Sequence, residues 1–281
     1  MTQLQVLWVL VSAAALLLAA AATTPAGAEA EGPLVNTLHG TVRGLTTDKG
    51  SHVFLGIPFA QPPLGHLRWH PPQPHSWTGV LNTTRWGNQC HNTLTGNSFV
   101  EAHGPLSEDC LYLNVWVPKA VHDKAGSKGG AAAANVVVFL HGGGFILGSA
   151  SNPFVSPDPE NLAIASGSVV VSFNYRLGVL GFLSHRALPS TSGLSGILDQ
   201  VAALEWVKRN IHLFGGNPNS VTLVGESAGA ISICMLATMP STEGLFHRVI
   251  LESPMCDFPF HVWKKENSTL HLPLILSDCS R

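Results

Sequence analysis

Charge is what this chain has least of. Lys, Arg, Asp and Glu make up 11% of its 281 residues, against roughly 25% in ordinary globular proteins. The formal net charge is −2 with no basic block, so neither nucleic acid nor an anionic membrane surface is an expected partner. No segment recurs at a fixed period. The opening residues, "MTQLQ", also lack the Lys or Arg that usually starts a secretory leader. The next stretch is nonetheless leader-like. "VLWVLVSAAALLLAAAA" is apolar, and Ala26-Gly27-Ala28 fits the small-residue cleavage pattern. Residues 1–28 are therefore expected to be a signal peptide, which places the chain in the secreted pool or the endoplasmic reticulum lumen. A transmembrane anchor is the rival reading. The run approaches the roughly 20 residues of a span, but it is Ala-rich and lacks a basic stop-transfer flank.

Five cysteines are present: Cys90, Cys110, Cys234, Cys256 and Cys279. An odd count leaves at least one unpaired. Cys90 and Cys110 lie in polar, loop-like sequence, where an oxidising compartment allows pairing. Cys234, in "AISICMLA", reads as a plain thiol in the core of a helix. Asn82 and Asn267 begin glycosylation sequons.

Past the leader, "GIPFAQPPLGHLRWHPPQPHSWTG" carries too many prolines for long helices or central strands. "LYLNVWV" comes after it as a strand, and residues 124–135, "KAGSKGGAAAAN", read as a low-complexity linker. Then "NVVVFL", "GSVVVSFN", "VTLVG" and "RVILES" recur as short β-branched runs, suited to strands buried on both faces. Ile197, Val201, Leu204, Val207 and Ile211 recur at helical period between two of them. "SAGAISICMLAT" reads as a second helix, stopped at Pro240. Strand alternating with helix predicts an α/β fold with a mostly parallel sheet and covering helices.

Two glycine-rich stretches sit at predicted strand ends. Gly225-Glu226-Ser227-Ala228-Gly229 is a G-x-S-x-G between strand and helix, the setting of a nucleophile elbow. Three fixed positions alone would arise by chance in roughly one chain in ten of this size, so the strand–helix setting carries the signal. His141-Gly142-Gly143-Gly144 is a loop whose bare backbone can approach a substrate and stabilise a developing oxyanion. His141 reads as a loop anchor, because the elbow mechanism draws its base from beyond the serine.

These residues resemble the type-B carboxylesterase/cholinesterase family of α/β-hydrolases. "FGGNPNSVTLVGESAG" matches its serine signature and "EDCLYLNVWVP" its second signature, while "FLGIPFAQPPLGHLRW" and "NYRLGVLGF" are also typical. The resemblance runs from about Gly40 to Ser253. It implies Ser227 as nucleophile, the N–H groups of Gly143, Gly144 and Ala228 as oxyanion donors, and Cys90–Cys110 as the family's first disulfide. The implied reaction is hydrolysis of small-molecule carboxylic esters through an acyl-enzyme, with no metal or cofactor. Cholinesterase relatives carry a choline-binding tryptophan inside the first disulfide loop. The stretch from Cys90 to Cys110 has none, which favours a general carboxylesterase.

Length is also scarce. Only 54 residues of the 281 come after Ser227, whereas the triad acid and histidine lie on loops after later strands. Each further strand–helix–strand unit takes roughly 30 residues or more. Residues 29–253 are thus expected to form the N-terminal part of the hydrolase domain, and 254–281 an atypical tail of a truncated chain. His261 and His271 in that tail are not expected to serve as the base. Three readings are open: an ester hydrolase with a half-built site, a non-catalytic adhesion or binding protein on the same fold, or a fragment that folds poorly.

Overall fold

The computed structural model describes residues 32–92, 103–125, 133–151 and 158–256, with the side chains of 124 and 125 left aside. The chain divides at Gly32, and all described residues except Gly32 belong to the unit that starts at Pro33. The signal-peptide and anchor readings, Asn267, Cys279, His261 and His271 all lie outside the described residues. Among the described residues, no helix is long and apolar enough to cross a membrane.

Strands β1 (Leu34–Thr37) and β2 (Gly40–Arg43) form an antiparallel pair, followed by β3 (Leu45–Thr46) and β4 (Ser51–Pro58). β5 (Val80–Asn82) returns parallel to β2, and β6 (Gln89–Cys90) and β7 (Leu106–Ser107) form a small parallel ladder. Next come β8 (Tyr112–Pro118), helix α1 (Lys119–Ala125), β9 (Ala134–Leu140), α2 (Pro159–Ser166) and β10 (Val169–Phe173). The last elements are α3 (Gly178–Phe182), α4 (Ser195–Asn210), β11 (Gly216–Glu226), α5 (Ala228–Thr238) and β12 (Arg248–Glu252).

One sheet of seven strands organises the molecule, in the order β12-β11-β9-β10-β8-β4-β3. β12, β11, β9 and β10 run parallel, and β8, β4 and β3 extend the sheet antiparallel. This is the α/β-hydrolase architecture, a mostly parallel sheet with covering helices. Its central strands are valine-rich for a physical reason: helices cover both faces, so no alternation with polar residues survives. Val136, Val138, Val169, Val171, Val221 and Leu223 are all fully buried. Of the five residues at helical period, Ile197, Val201, Leu204 and Val207 lie in α4 and Ile211 directly follows it; all are buried, from 0% exposure at Leu204, Val207 and Ile211 to 7% at Val201.

Two sequence expectations need correction. The linker read over 124–135 is ordered at both ends: α1 takes in Lys124 and Ala125, and β9 begins at Ala134. Pairing explains the second boundary, since Ala134 N–H donates to the Gly215 carbonyl at 2.9 Å. Cys234 is not a plain core thiol. It is half-buried on α5 and joined by a disulfide to Cys256, with Cα atoms 5.7 Å apart. The apolar run around it hid the fact that one helix face meets the segment leaving β12. Cys90 and Cys110 are also joined, with Cα atoms 4.9 Å apart across 20 residues. Asn82 is exposed on β5.

Candidate active site

β11 ends at Glu226 and α5 begins at Ala228. The single residue between them is Ser227, with φ 50° and ψ −117°. A side chain at positive φ is strained, at a cost of order 1–3 kcal/mol, and persists only where its surroundings impose it. They do so here. Ser227 N–H donates to the Glu252 carbonyl of β12 at 2.9 Å, and Ile231 N–H bonds to the Ser227 carbonyl at 2.9 Å. The flanking glycines are required by space. A Cβ on Gly225 would lie 2.5 Å from the Gly229 carbonyl carbon, and one on Gly229 would lie 2.1 Å from the Leu140 oxygen. The first approach brings α5 tight against the end of β11, and the second brings it against the end of β9. Ser227 itself is half-buried.

β9 ends beside the elbow and runs into the glycine loop. A Cβ on Gly142 would sit 2.8 Å from the Glu226 oxygen and 3.3 Å from Ser227 Cβ. The loop thus borders the serine directly. Gly143 and Gly144 take φ of 111° and 61°, a region that favours glycine. Ala228 opens α5, where helical N–H groups have no partner within the helix. Among the described residues, none accepts a hydrogen bond from the N–H of Gly143, Gly144 or Ala228.

His141 anchors the loop. Its ring is 1% exposed and stacks on Tyr175 at 4.3 Å. The Tyr175 hydroxyl donates to the His141 carbonyl at 2.8 Å. His141 Nδ1 lies 2.9 Å from the Gly142 carbonyl oxygen. A carbonyl only accepts, so Nδ1 carries the proton, and Nε2 is buried with no hydrogen-bond partner among the described residues. Burial drives the His141 pKa down from 6.5 to about 4, against a smaller upward pull from the bond to Gly142. The ring is therefore neutral at neutral pH and structural. Further along the loop, Gly178 N–H bonds to the Phe145 carbonyl at 2.7 Å, and Phe145 packs edge-on against Phe182 at 5.2 Å.

Several supports of the site carry no mark that sequence reasoning could use. Tyr175 and Arg176 fall within the family-typical "NYRLGVLGF", yet nothing in that stretch sets their roles apart. Arg176 makes two 2.7 Å bonds to Asp199, both side chains being buried. That pair ties the chain after β10 to α4. Glu252 acts through its backbone, which no side-chain pattern reports. Among the described residues, no histidine is hydrogen-bonded to Ser227.

Comparison with known proteins identifies the family. The family model described as the carboxylesterase family matches residues 31–276. A cholinesterase from Mus musculus is 42% identical over 253 residues, covering 85% of this chain and 40% of its own length. A fumonisin B1 esterase from Sphingopyxis macrogoltabida is 44% identical, with 82% and 42% covered. A cocaine esterase from Oryctolagus cuniculus is 45% identical, with 81% and 43% covered. Among solved structures, a thermophilic pNB esterase superposes with TM-score 0.70 at 40% identity, over 79% of this chain and 44% of that one. The chain thus spans about two fifths of the length of the curated relatives it matches. Its fold, its serine elbow and these matches give one answer: the chain belongs to the carboxylesterase family.

Proposed function

We propose that this chain carries the nucleophile and oxyanion half of a serine ester hydrolase. Ser227 Oγ attacks the acyl carbon of a carboxylic ester. The N–H groups of Gly143, Gly144 and Ala228 receive the negative charge that develops on the carbonyl oxygen, and the alcohol leaves behind an acyl-serine. Water then releases the acid. Each oxyanion donor of this kind typically lowers the barrier by about 2.7–4 kcal/mol. The observation that carries the reading is the strained backbone of Ser227 at the head of α5, bordered by Gly142.

Attack needs a base to take the hydroxyl proton and a carboxylate to orient the base. With neither at Ser227 among the described residues, the chain by itself is a weak esterase or an inactive one. A site with binding and oxyanion groups alone retains roughly 10³–10⁴ over water in comparable knockouts. Substrates are small carboxylic esters, choline esters being disfavoured by the tryptophan-free Cys90–Cys110 stretch. The disulfides fit an oxidising compartment, and the exposed Asn82 begins a glycosylation sequon among the described residues.

The test is turnover of p-nitrophenyl acetate by residues 29–281 from a secretory host, beside Ser227→Ala. Slow turnover that disappears in the alanine variant is expected. Equal rates in both proteins would remove Ser227 from the mechanism. Rates matching complete family members would overturn the missing-base reading.

A further inference from the structure

We propose that His52, His122 and Asp123 form a binding site for one divalent transition-metal cation of the zinc type. The site is separate from the serine. His52 lies near the start of β4, opposite Val117, and α1 leaves the adjacent end of β8. Sheet register aligns that end with the beginnings of β10, β9 and β11. Ser227 lies at the other end of the sheet, after the finish of β11, with three strands intervening between β11 and β4.

The cluster is assembled by short-range geometry. Lys119 N–H donates to the Gly50 carbonyl at 3.0 Å, which seats the first turn of α1 over the start of β4. That brings the His122 ring edge-on to His52, with centroids 4.6 Å apart. His52 is 6% exposed, and its Nδ1 is fixed by the Thr46 hydroxyl at 2.9 Å. An imidazole oriented through one nitrogen presents the other to a metal, the usual arrangement of a ligating histidine. Asp123 adds a carboxylate. The three ligand atoms lie within 4.8 Å of one another.

Bonds of about 2.0–2.1 Å place tetrahedral ligand atoms about 3.4 Å apart, so His122 and Asp123 must draw in by roughly 1 Å. Both stand on the solvent side of the cluster, His122 half-buried and Asp123 exposed. The competing cation is Lys119, whose Nζ is 2.6 Å from Asp123 Oδ2. Both of those side chains are about half exposed, 52% and 53%, and an exposed pair of this kind is weak. Two imidazoles and one carboxylate suit zinc, cobalt or nickel, whereas magnesium and calcium take oxygen ligands. Three protein ligands leave the fourth position to water.

The experiment is Co²⁺ titration of the full chain followed by visible absorption, with zinc displacement as the second reading. One equivalent should give the bands of a four-coordinate site, and zinc should abolish them. His122→Ala should weaken binding by about tenfold or more, with its thermal melt in the absence of metal unchanged. Asp123→Asn, an exposed substitution, should also weaken binding and serves if His122→Ala is poorly folded. The chain has 14 histidines, so the variants assign the site. Unchanged Co²⁺ affinity in a folded variant, or no stoichiometric spectrum in the parent chain, would overturn the proposal and leave the two rings as a packing contact.

Discussion

His141 illustrates how one side chain can hold a glycine-rich loop in place. Its neutral, buried ring gives the Gly142 carbonyl a donor and Tyr175 a stacking surface. That role makes stability depend on pH in a predictable direction. The unfolded chain protonates His141 near 6.5, whereas the folded chain resists protonation until about 4. The unfolded state therefore binds more protons within that window. Stability is full above pH 6.5 and falls as pH drops toward 4, by on the order of 3 kcal/mol in all. His39, His52 and His122 are lowered by burial as well and act in the same direction. The diagnostic is thus the difference between parent and His141→Gln. Urea unfolding at pH 7 and pH 5 should show a loss in the parent larger by about 2 kcal/mol. Equal losses in the two proteins would mean that His141 is not the buried neutral ring described.

Elements were legible wherever period and backbone chemistry coincide. α4 announced itself because one face is apolar at every turn. The elbow announced itself because only glycine tolerates the approach of α5 to β11 and β9, and that requirement is written as Gly225 and Gly229. Contacts made by backbone or across long separations left no such mark. Ser227 N–H reaching the Glu252 carbonyl is one example. The Cys234–Cys256 bridge is another, since the helical setting of Cys234 resembles that of any core thiol. Arg176–Asp199 is the most consequential. Each charge is tolerable in the interior only because the other is there, and neither residue stands out within its own segment. Removing one partner leaves a buried charge unpaired. Asp199→Ala should therefore cost about 3–5 kcal/mol, read as a drop in the urea midpoint with little change in slope. A cost below about 1 kcal/mol would mean that water or a neighbouring group satisfies Arg176.

At the scale of the molecule, the sheet continues past β11 on one side of the serine through β9, and on the other, among the described residues, only through β12. β4, β8, β10, β9 and β11 are paired on both edges. β12 pairs only with β11 among the described residues, through Thr222–Glu226 against Arg248–Glu252. Yet its sequence is that of an interior strand, "RVILE", with Val249 43% and Ile250 50% exposed. An apolar strand with an open hydrogen-bonding edge is a template for another strand, and edges of this kind are ordinarily blunted by charge, proline or a bulge. Successive residues of a strand face opposite sides, so exposure of both Val249 and Ile250 means that, among the described residues, both faces are only partly covered there, Leu251 alone of the strand's apolar residues packing on the core. The same strand holds the elbow through Glu252, so whatever becomes of this edge bears on Ser227. Residues 29–281 alone should self-associate at micromolar concentration, seen as a rising mass in light scattering. Ile250→Lys places a charge on the edge without touching the Glu252 carbonyl. It should shift the population toward monomer while leaving the thermal midpoint within a few degrees, since exposed sites away from special contacts usually matter by less than about 0.5 kcal/mol. A parent chain that stays monomeric throughout, or an Ile250→Lys variant that associates equally, would move the source of association away from β12.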